Sequence, residues 1–299
     1  MLLAGKTEGA LKTKTKEMRI NHPTMKQKLA EYRHQPLSLL LLALTLLAAV
    51  ITVGVLLCLI AYILYKGIPN MHLSLFAWKY TTENSSMMPA IINTLLMTVV
   101  TLMIAVPIGV FSAIYLVEYA KRGNKLVKVI RMTTETLQGI PSIVFGLFGF
   151  LMFVVACNFG FSLLGGAITL ALMVLPLIMR TTEEALLSVP DSFREGSFGL
   201  GAGRLRTIFR IILPSAMPGI LAGIILAVGR IVGETAALMY TAGTATTVCT
   251  GPFRSCRTLA VHMYQLLCEG QYMGPAYATA VVLLVMVIAI NALSGWIAK

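Results

Sequence analysis

The sequence predicts an all-α membrane protein, and three observations lead to this prediction. The 299 residues are 57% hydrophobic and only 12% charged, whereas soluble domains carry about 25% charged residues. The apolar residues also fall in long runs, and about 20 such residues suffice to cross a hydrocarbon core roughly 30 Å thick. The basic residues concentrate in particular segments, as they do in the cytoplasmic loops of membrane proteins. A single compact soluble domain is therefore excluded.

The apolar runs predict six transmembrane helices. Their expected limits are Leu37 to Tyr65, Pro89 to Val117, Thr133 to Cys157, Leu163 to Ile178, Ser215 to Thr241 and Ala276 to Ile297. Prolines such as Pro107, Pro141 and Pro176 lie inside these spans, where neighbouring helices tolerate a local kink. Residues 37–299 are thus expected to form one membrane domain, preceded by a basic tail of residues 1–36.

The formal net charge of +12 could also belong to a nucleic-acid-binding protein, so the placement of the basic residues has to decide. Eight of the 24 precede Leu37, and segments 118–131 and 179–214 hold five each. This pattern predicts a cytoplasmic location for both termini. A nucleic-acid-binding arm is not favoured, because the tail has one aromatic residue, Tyr32, rather than a pattern of aromatic residues interleaved with the basic ones. We expect the first helix to remain in the mature protein, since the run is too long for a signal-peptide core.

The loop between the fourth and fifth spans, residues 179–214, has its own helical pattern. Ser192 and Glu195 form an S-x-x-E capping box, which predicts a helix that Ser192 caps. The glycines that end this helix are Gly199, Gly201 and Gly203. A second helix is expected from Arg204 to Leu213, before Pro214 opens the fifth span.

This loop resembles the E-A-A-x3-G-x9-I-x-L-P segment of binding-protein-dependent ABC importer permeases, which have the type I fold. The matching residues are Glu195, Gly196, Ser197, Gly201, Ile211, Leu213 and Pro214. Glycine and serine replace the two alanines, so the side chains stay small and close packing should be preserved. The resemblance implies that the loop is a cytoplasmic coupling helix, which docks on a separate ATPase subunit and transmits its closure to the spans.

The residues predict a transport subunit without a cofactor rather than an enzyme. Gly5, Lys6 and Thr7 match the end of a P-loop, but no glycine can lie five residues earlier and no strand precedes them. The histidines are scattered, and no Cys or His spacing fits a metal site. An intramembrane enzyme would need a nucleophile with its base, or paired carboxylates, within the spans. ATP hydrolysis is therefore expected in another chain.

The fifth span carries two charges, Arg230 and Glu234. A charge inside a span costs at least about 2.5 kcal/mol, so such a residue is a functional candidate. The spacing of four residues places the two side chains on one helical face, where they can pair. A translocation-pathway role is favoured over a static pair that stabilises the bundle. Arg180, at the inner edge of the fourth span, could serve either the pathway or membrane orientation.

Residues 227–238, A-V-G-R-I-V-G-E-T-A-A-L, resemble the fifth helix of the PstA family of phosphate permeases, as do segments 140–147 and 180–183. The resemblance covers about residues 89–298. It implies phosphate import by alternating access in the bacterial inner membrane, together with a PstC-like second permease, a pair of PstB-like ATPases and an extracytoplasmic PstS-like phosphate-binding protein. The alternatives are the PstC-type partner, an ABC permease for sulfate or molybdate, and a secondary transporter. A secondary transporter would predict internal repeats and broken helices, and it gives no reason for the coupling-loop pattern.

Three cysteines, Cys249, Cys256 and Cys268, lie in the expected outer loop between the fifth and sixth spans. Only this loop faces an oxidising compartment, and the first two are close in sequence. A disulfide between Cys249 and Cys256 is therefore predicted from short separation and exposure.

Overall fold

The computed structural model describes residues 36–121, 123–270 and 272–297. The predicted tail lies outside these residues except for Pro36, as do Arg122 and Lys299. The chain divides into two units, residues 1–61 and residues 62–299. The boundary predicted between residues 36 and 37 falls at the edge of the described part and stays a prediction.

The described residues form eleven α-helices and contain no β-strand. The helices are α1 Pro36–Gly67, α2 Met88–Ile114, α3 Lys125–Gln138, α4 Ser142–Gly149, α5 Leu163–Leu187, α6 Asp191–Gly199, α7 Arg204–Thr207, α8 Leu213–Val232, α9 Ala236–Thr241, α10 Leu259–Glu269 and α11 Met273–Ile297. Wider π-helical turns extend three of them, at Tyr115–Tyr119, Phe150–Ala156 and Ile208–Ile212. Two short 3-10 turns, Ile68–Asn70 and Leu73–Phe76, follow α1.

Five helical stretches are long and apolar enough to cross a membrane. They are Leu37–Asn70, Met88–Tyr119, Leu163–Leu187, Arg204–Val232 and Met273–Trp296. A bent pair, Lys125–Gln138 with Ser142–Ala156, makes a sixth crossing if the pair counts as one span. The predicted all-α membrane fold is thereby confirmed, and its six spans are reached when the bent pair is taken as the third.

The first unit contains the helical residues 36–61, whose large apolar side chains are mostly exposed. Leu37 is 70% exposed and Val50 is 68% exposed. Lipid tails are as apolar as leucine, so such a surface needs no protein cover inside a bilayer. The composition of this unit therefore fits a lipid-facing helix.

The sequence predicts one kinked helix for the third span, but the structure has two separate helices there. The axes of α3 and the helix after it differ by 104°. The bend falls at Gly139 to Pro141, where proline lacks an amide hydrogen and pushes the preceding residue out of the helical conformation. The residues of α3 are polar and amphipathic, so Ser142–Ala156 supplies the apolar part of the crossing.

The core of the second unit is built around α5, which packs against α2 and α8. Leu170, Val174 and Ile178 on α5 are completely buried. Two thirds of its most apolar window is buried, compared with one third in α2 and in α8. The helix also continues to Leu187, beyond the predicted end at Ile178. It can do so because the charged residues of its last turns form ion pairs.

The loop between α9 and α10 corrects the cysteine prediction. Cys249 and Cys256 are free thiols in the structure. They are also buried, at 8% and 0% exposure, because Cys256 N donates to the Ala242 carbonyl and Cys249 N donates to Asn93 Oδ1. Burial raises the pKa of Cys256. The exposure on which the disulfide prediction rested is therefore wrong.

Close packing of α8 on α5 leads to a stability prediction. A Cβ added at Gly223 would lie 2.6 Å from Thr181 Cβ, which a rotamer change cannot move, whereas Gly229 has open space. We expect Gly223→Ala to lower the free energy of unfolding by about 1–3 kcal/mol. Gly229→Ala should be neutral or slightly stabilising, because alanine favours helix. Thermal unfolding in detergent measures both, and equal effects would contradict the packing described here.

Candidate functional site

The fifth predicted span is a broken helix rather than a continuous one. Helix α8 ends at Val232 and α9 begins at Ala236, so three residues between them are not helical. The break is closed by Gly233 N donating to the Gly229 carbonyl at 3.3 Å and by Glu234 N donating to the Ile231 carbonyl at 3.2 Å. Such irregular backbone at membrane depth persists only where protein buries it or where it lines a water-filled cavity.

The break separates the two charges that were expected to pair. Arg230 lies in the last turn of α8, half-buried, and forms no ion pair within the described part of the chain. Glu234 Oε1 instead accepts a hydrogen bond from Ala237 N at 3.1 Å, at the start of α9. The expected Arg230–Glu234 pair is therefore wrong, because the helical spacing that would create it ends at Val232. The pathway role of both residues stays a prediction.

Glycines on neighbouring helices hold α9 in place. A Cβ on Gly146 of α4 would lie 2.8 Å from Ala237 Cα. A Cβ on Gly166 of α5 would lie 2.9 Å from Ala242 Cβ and 3.1 Å from Leu238 Cδ2. The short helix is therefore clamped between α4 and α5, and the bundle itself fixes the position of the break.

Arg180 does not lie at the level of Arg230. The contacts of Gly223 with Thr181 and of Gly219 with Ala185 set the antiparallel register of α8 and α5. In this register Arg230 on α8 lies beside residue 174 of α5. Arg180 is six residues further along α5, which is about 9 Å along the axis of that helix. Arg180 Nε donates to Glu184 Oε1 at 3.0 Å, and both side chains are more than half exposed.

A charged cavity of about 220 Å³ surrounds Arg180 between α3 and α5. Its charged lining residues are Arg131, Glu135, Arg180, Glu183 and Glu184. Arg131 and Glu183 form an ion pair that joins the two helices. Sequence reasoning missed this pair, because its members are far apart in the chain and only the fold brings them together.

The coupling loop begins differently from its prediction. Helix α6 starts at Asp191 after Pro190, and Ser192 provides no capping hydrogen bond. The capping-box prediction is wrong because the helix begins two residues too early for Ser192 to be its cap. Asp191 instead places a carboxylate in the first turn, where the helix dipole favours it. Glu195 and Gly196 are exposed, and a Cβ on Gly196 would meet no atom within 4 Å.

The turn after α6 is closed by buried polar contacts. Ser197 and Thr207 share a hydrogen bond between their hydroxyls at 2.8 Å, and both are buried. Gly201 has a φ of +80°, a conformation that favours glycine. The helical path then runs without interruption from Arg204 to Val232, and Pro214 lies in the first turn of α8, which follows a π-helical turn.

The last two motif residues lie beside a second apolar core. Ile211 and Leu213 are half-buried, and they pack on a cluster that includes Ala113 and Ile212. Pro214 is exposed. These contacts join the loop to the end of α2.

Arg194, which the sequence identified only as a basic loop residue, fastens α6 to the bundle. Its side chain is 16% exposed, and Nη2 lies 2.8 Å from Oε1 of Glu118, which is 9% exposed. It also donates to the carbonyls of Leu186 at 3.0 Å and Val189 at 2.9 Å. One guanidinium thus joins α6 to the extension of α2 and to the end of α5. We call this group the Arg194 clamp.

The coupling loop has several apolar side chains that are exposed. Phe193 and Phe198 are each 47% exposed, Leu205 is 64% exposed and Leu200 is 91% exposed. Contiguous exposed apolar side chains of this kind mark surfaces that bind another protein. The clamp holds this surface firmly to the membrane helices.

The chain is similar to several curated permeases. It is 35% identical over 274 residues to the probable ABC transporter permease protein YqgI of Bacillus subtilis, covering 84% of this chain and 91% of that protein. It is 36% identical over 205 residues to the phosphate transport system permease protein PstA 1 of Mycobacterium tuberculosis, covering 68% and 67% of the two chains. A PstA of Yersinia pestis is 41% identical over 179 residues, covering 59% and 60%.

Solved structures share the fold. The structure of a bacterial alginate ABC transporter in complex with an alginate pentasaccharide-bound periplasmic protein contains a chain that matches with a TM-score of 0.67 at 16% identity, covering 90% of this chain and 96% of that one. A chain of the MetNI methionine ABC transporter, in an inward-facing conformation, matches with a TM-score of 0.55 at 20% identity, covering 80% and 96%.

The family assignment follows from the bundle, the coupling loop and these similarities together. The model of the family described as "Binding-protein-dependent transport system inner membrane component" matches residues 105–299, which include the broken fifth span and all seven motif residues. This chain belongs to that family, and it is a membrane-spanning permease subunit of an ABC transporter.

Proposed function

We propose that this chain forms, with a second PstC-like permease, the path by which an ATP-driven importer takes up inorganic phosphate. The observation that carries the proposal is the 36–41% identity to phosphate transport system permeases named PstA. The region that the family model matches contains Arg230 on its broken helix, a side chain suited to an oxyanion. The PstA names of these relatives favour this role over that of the PstC-type partner.

The chemistry of Arg230 supports a transient contact with phosphate. Guanidinium is permanently cationic, and its paired N–H groups match two phosphate oxygens at once. No carboxylate of the described residues neutralises it, since Glu234 is engaged with the amide of Ala237. We infer that Glu234 stabilises the break while Arg230 meets the passing anion. Because the phosphate contacts one charged residue at a time, it binds weakly enough to be released.

A separate pair of PstB-like ATPases is proposed to drive the cycle from the cytoplasm. Their docking site would be the coupling loop with Glu195, Gly196 and Ser197, where the exposed apolar side chains of α6 need a partner. The Arg194 clamp would carry the movement of α6 to α2 and α5, and the packing of α5 on α8 and α9 would carry it to the break. Both termini would then lie in the cytoplasm.

At the opposite face, an extracytoplasmic PstS-like protein is proposed to deliver phosphate. The loop after α9 lines an open cavity of about 540 Å³ to which Thr244, Thr246 and Thr247 contribute, while the hydroxyl of the neighbouring Ser255 donates to the Ala242 carbonyl. Hydroxyl groups can donate hydrogen bonds to an oxyanion without holding it by charge. The cavity is therefore a suitable entry for a ligand that must not bind tightly. Arg180, in its charged cavity near the cytoplasmic end, is proposed to act late on the path.

Transport by the assembled complex tests the proposal directly. With the partner permease, the ATPases and the binding protein in proteoliposomes, we expect ATP-dependent uptake of labelled phosphate that excess sulfate does not reduce. Vesicles that lack the ATPases serve as the control and should take up nothing. Uptake of sulfate in place of phosphate would reject the substrate, and uptake without the ATPases would reject the mechanism.

The variant Arg230→Gln tests whether Arg230 contacts phosphate during transport. We expect uptake to fall by roughly tenfold or more, because losing a hydrogen bond to a charged group costs about 1.5–3 kcal/mol. Arg230→Lys keeps the charge but loses the paired N–H groups, so its phosphate uptake should lie between that of the wild type and that of Arg230→Gln. Glu234→Gln retains an oxygen that can accept from Ala237 N, so assembly should survive. Wild-type uptake by a fully assembled Arg230→Gln complex would contradict the role of Arg230.

A further inference from the structure

Helix α3 has a side that no other part of the described chain covers. Leu126 and Met132 are each 58% exposed, and Val129 is 61% exposed. The three residues are spaced by three, so they form one apolar stripe along the helix. Contiguous exposed apolar side chains mark a surface that binds another protein or a membrane.

A basic stripe runs beside the apolar one. Lys125, Lys128 and Arg131 each precede one of the apolar residues, so the two stripes lie about 100° apart around the helix. Arg131 is paired with Glu183. Lys125 and Lys128 are exposed and form no ion pair within the residues that the structure describes. Two uncompensated positive charges therefore accompany the apolar stripe.

The bend after α3 places both stripes along a membrane surface. The axis of α3 lies at 104° to that of Ser142–Ala156, which supplies the apolar part of the third crossing. A helix almost perpendicular to a crossing helix runs along the membrane rather than through it. Its Arg131 also binds Glu183 in the last turns of α5, near the end of another crossing helix. Basic amphipathic helices with this placement lie in the interface, with apolar side chains toward the acyl chains and lysines at the headgroups.

An open groove beside α3 offers space for an acyl chain. Its volume is about 350 Å³, and Ile130 of α3 lines it together with Phe111 and Tyr115 of α2 and its extension. Phe111 is 59% exposed and Tyr115 is 52% exposed, so the groove lies at the surface of the bundle. Ile130 follows Leu126 by four residues, which places the groove and the apolar stripe on the same side of α3.

Other occupants explain these features less well. A partner protein would have to bring acidic side chains to Lys125 and Lys128 and apolar ones to the stripe beside them. Free inorganic phosphate could bind the lysines, but it has no part that would cover Leu126 or Val129. An anionic phospholipid has both parts in one molecule, since its phosphate group attracts the ammonium groups and its acyl chains cover the apolar side chains.

We propose that α3 is a binding site for an anionic phospholipid. The headgroup lies at Lys125 and Lys128, and an acyl chain occupies the groove lined by Phe111, Tyr115 and Ile130. The ion pair between α3 and α5 then ties the lipid-bound helix to the core of the bundle. This site is separate from the transport path, and it does not depend on which anion the transporter carries.

The test measures lipid binding to the full chain in detergent by native mass spectrometry. Phosphatidylglycerol and phosphatidylcholine with identical acyl chains are titrated separately. We expect phosphatidylglycerol to bind several-fold more tightly, because only its headgroup has a net negative charge. The double variant Lys125→Gln/Lys128→Gln should lose this preference. The matched control Lys79→Gln/Arg254→Gln, which removes two exposed positive charges from other segments, should keep it.

The apolar half of the site has its own variant. Val129→Ser should lower the affinity for phosphatidylglycerol several-fold, and the fold should survive because this side chain is exposed. An unchanged affinity would overturn the proposed placement of the acyl chain.

Three further results would overturn the proposal. The first is equal binding of the two lipids, and the second is a preference that persists in Lys125→Gln/Lys128→Gln. The third is release of the bound phosphatidylglycerol by inorganic phosphate, which would identify a site for the free ion. If the double lysine variant binds lipid normally but no longer co-purifies with the partner permease, the stripes form a contact between permeases instead.

Discussion

The packing of α5 against its neighbours is the constraint on which the rest of the structure depends. Thr181 and Ala185 approach Gly223 and Gly219 so closely that no Cβ fits between the helices. Lipid provides no hydrophobic force to bring helices together, so such contacts of small residues have to supply the attraction. Several functional elements contact α5. Helix α9 packs on it, Glu183 of the Arg131–Glu183 pair lies on it, and Arg194 binds the Leu186 carbonyl near its end.

This arrangement explains how a soluble partner could act on a site inside the membrane. The Arg194 clamp is nearly buried, so its hydrogen bonds are stronger than they would be in water. Glu118 lies on the extension of α2, Leu186 on α5 and Val189 just after α5, and all three bind it. A displacement of α6 therefore acts on both helices. The break at Gly233 to Thr235 lies on the same line of contacts, where two backbone hydrogen bonds close it.

Much of the fold could be predicted from the sequence, because composition and charge placement act over long segments. Apolar runs near 20 residues located the spans, and the positions of Glu195, Gly201 and Pro214 located the coupling loop. Local exceptions were harder to predict. Gly233 is a residue type that often follows a helix end, but Ala236 and Leu238 continue the apolar pattern of α8, so the break before them was not predicted. Arg194 and Glu118 are 76 residues apart, and only the folded chain shows that they meet.

The most direct test of the account measures how many ATP molecules are hydrolysed for each phosphate imported by the assembled transporter carrying Glu118→Gln. The account predicts that this variant still assembles and hydrolyses ATP but imports several-fold less phosphate per ATP, because removing the charge of Glu118 weakens the contact of Arg194 with the extension of α2. Asp191→Asn is the matched control, since Asp191 also bonds Arg194 but is 76% exposed, and it should keep the wild-type ratio. A wild-type ratio in Glu118→Gln would contradict the account.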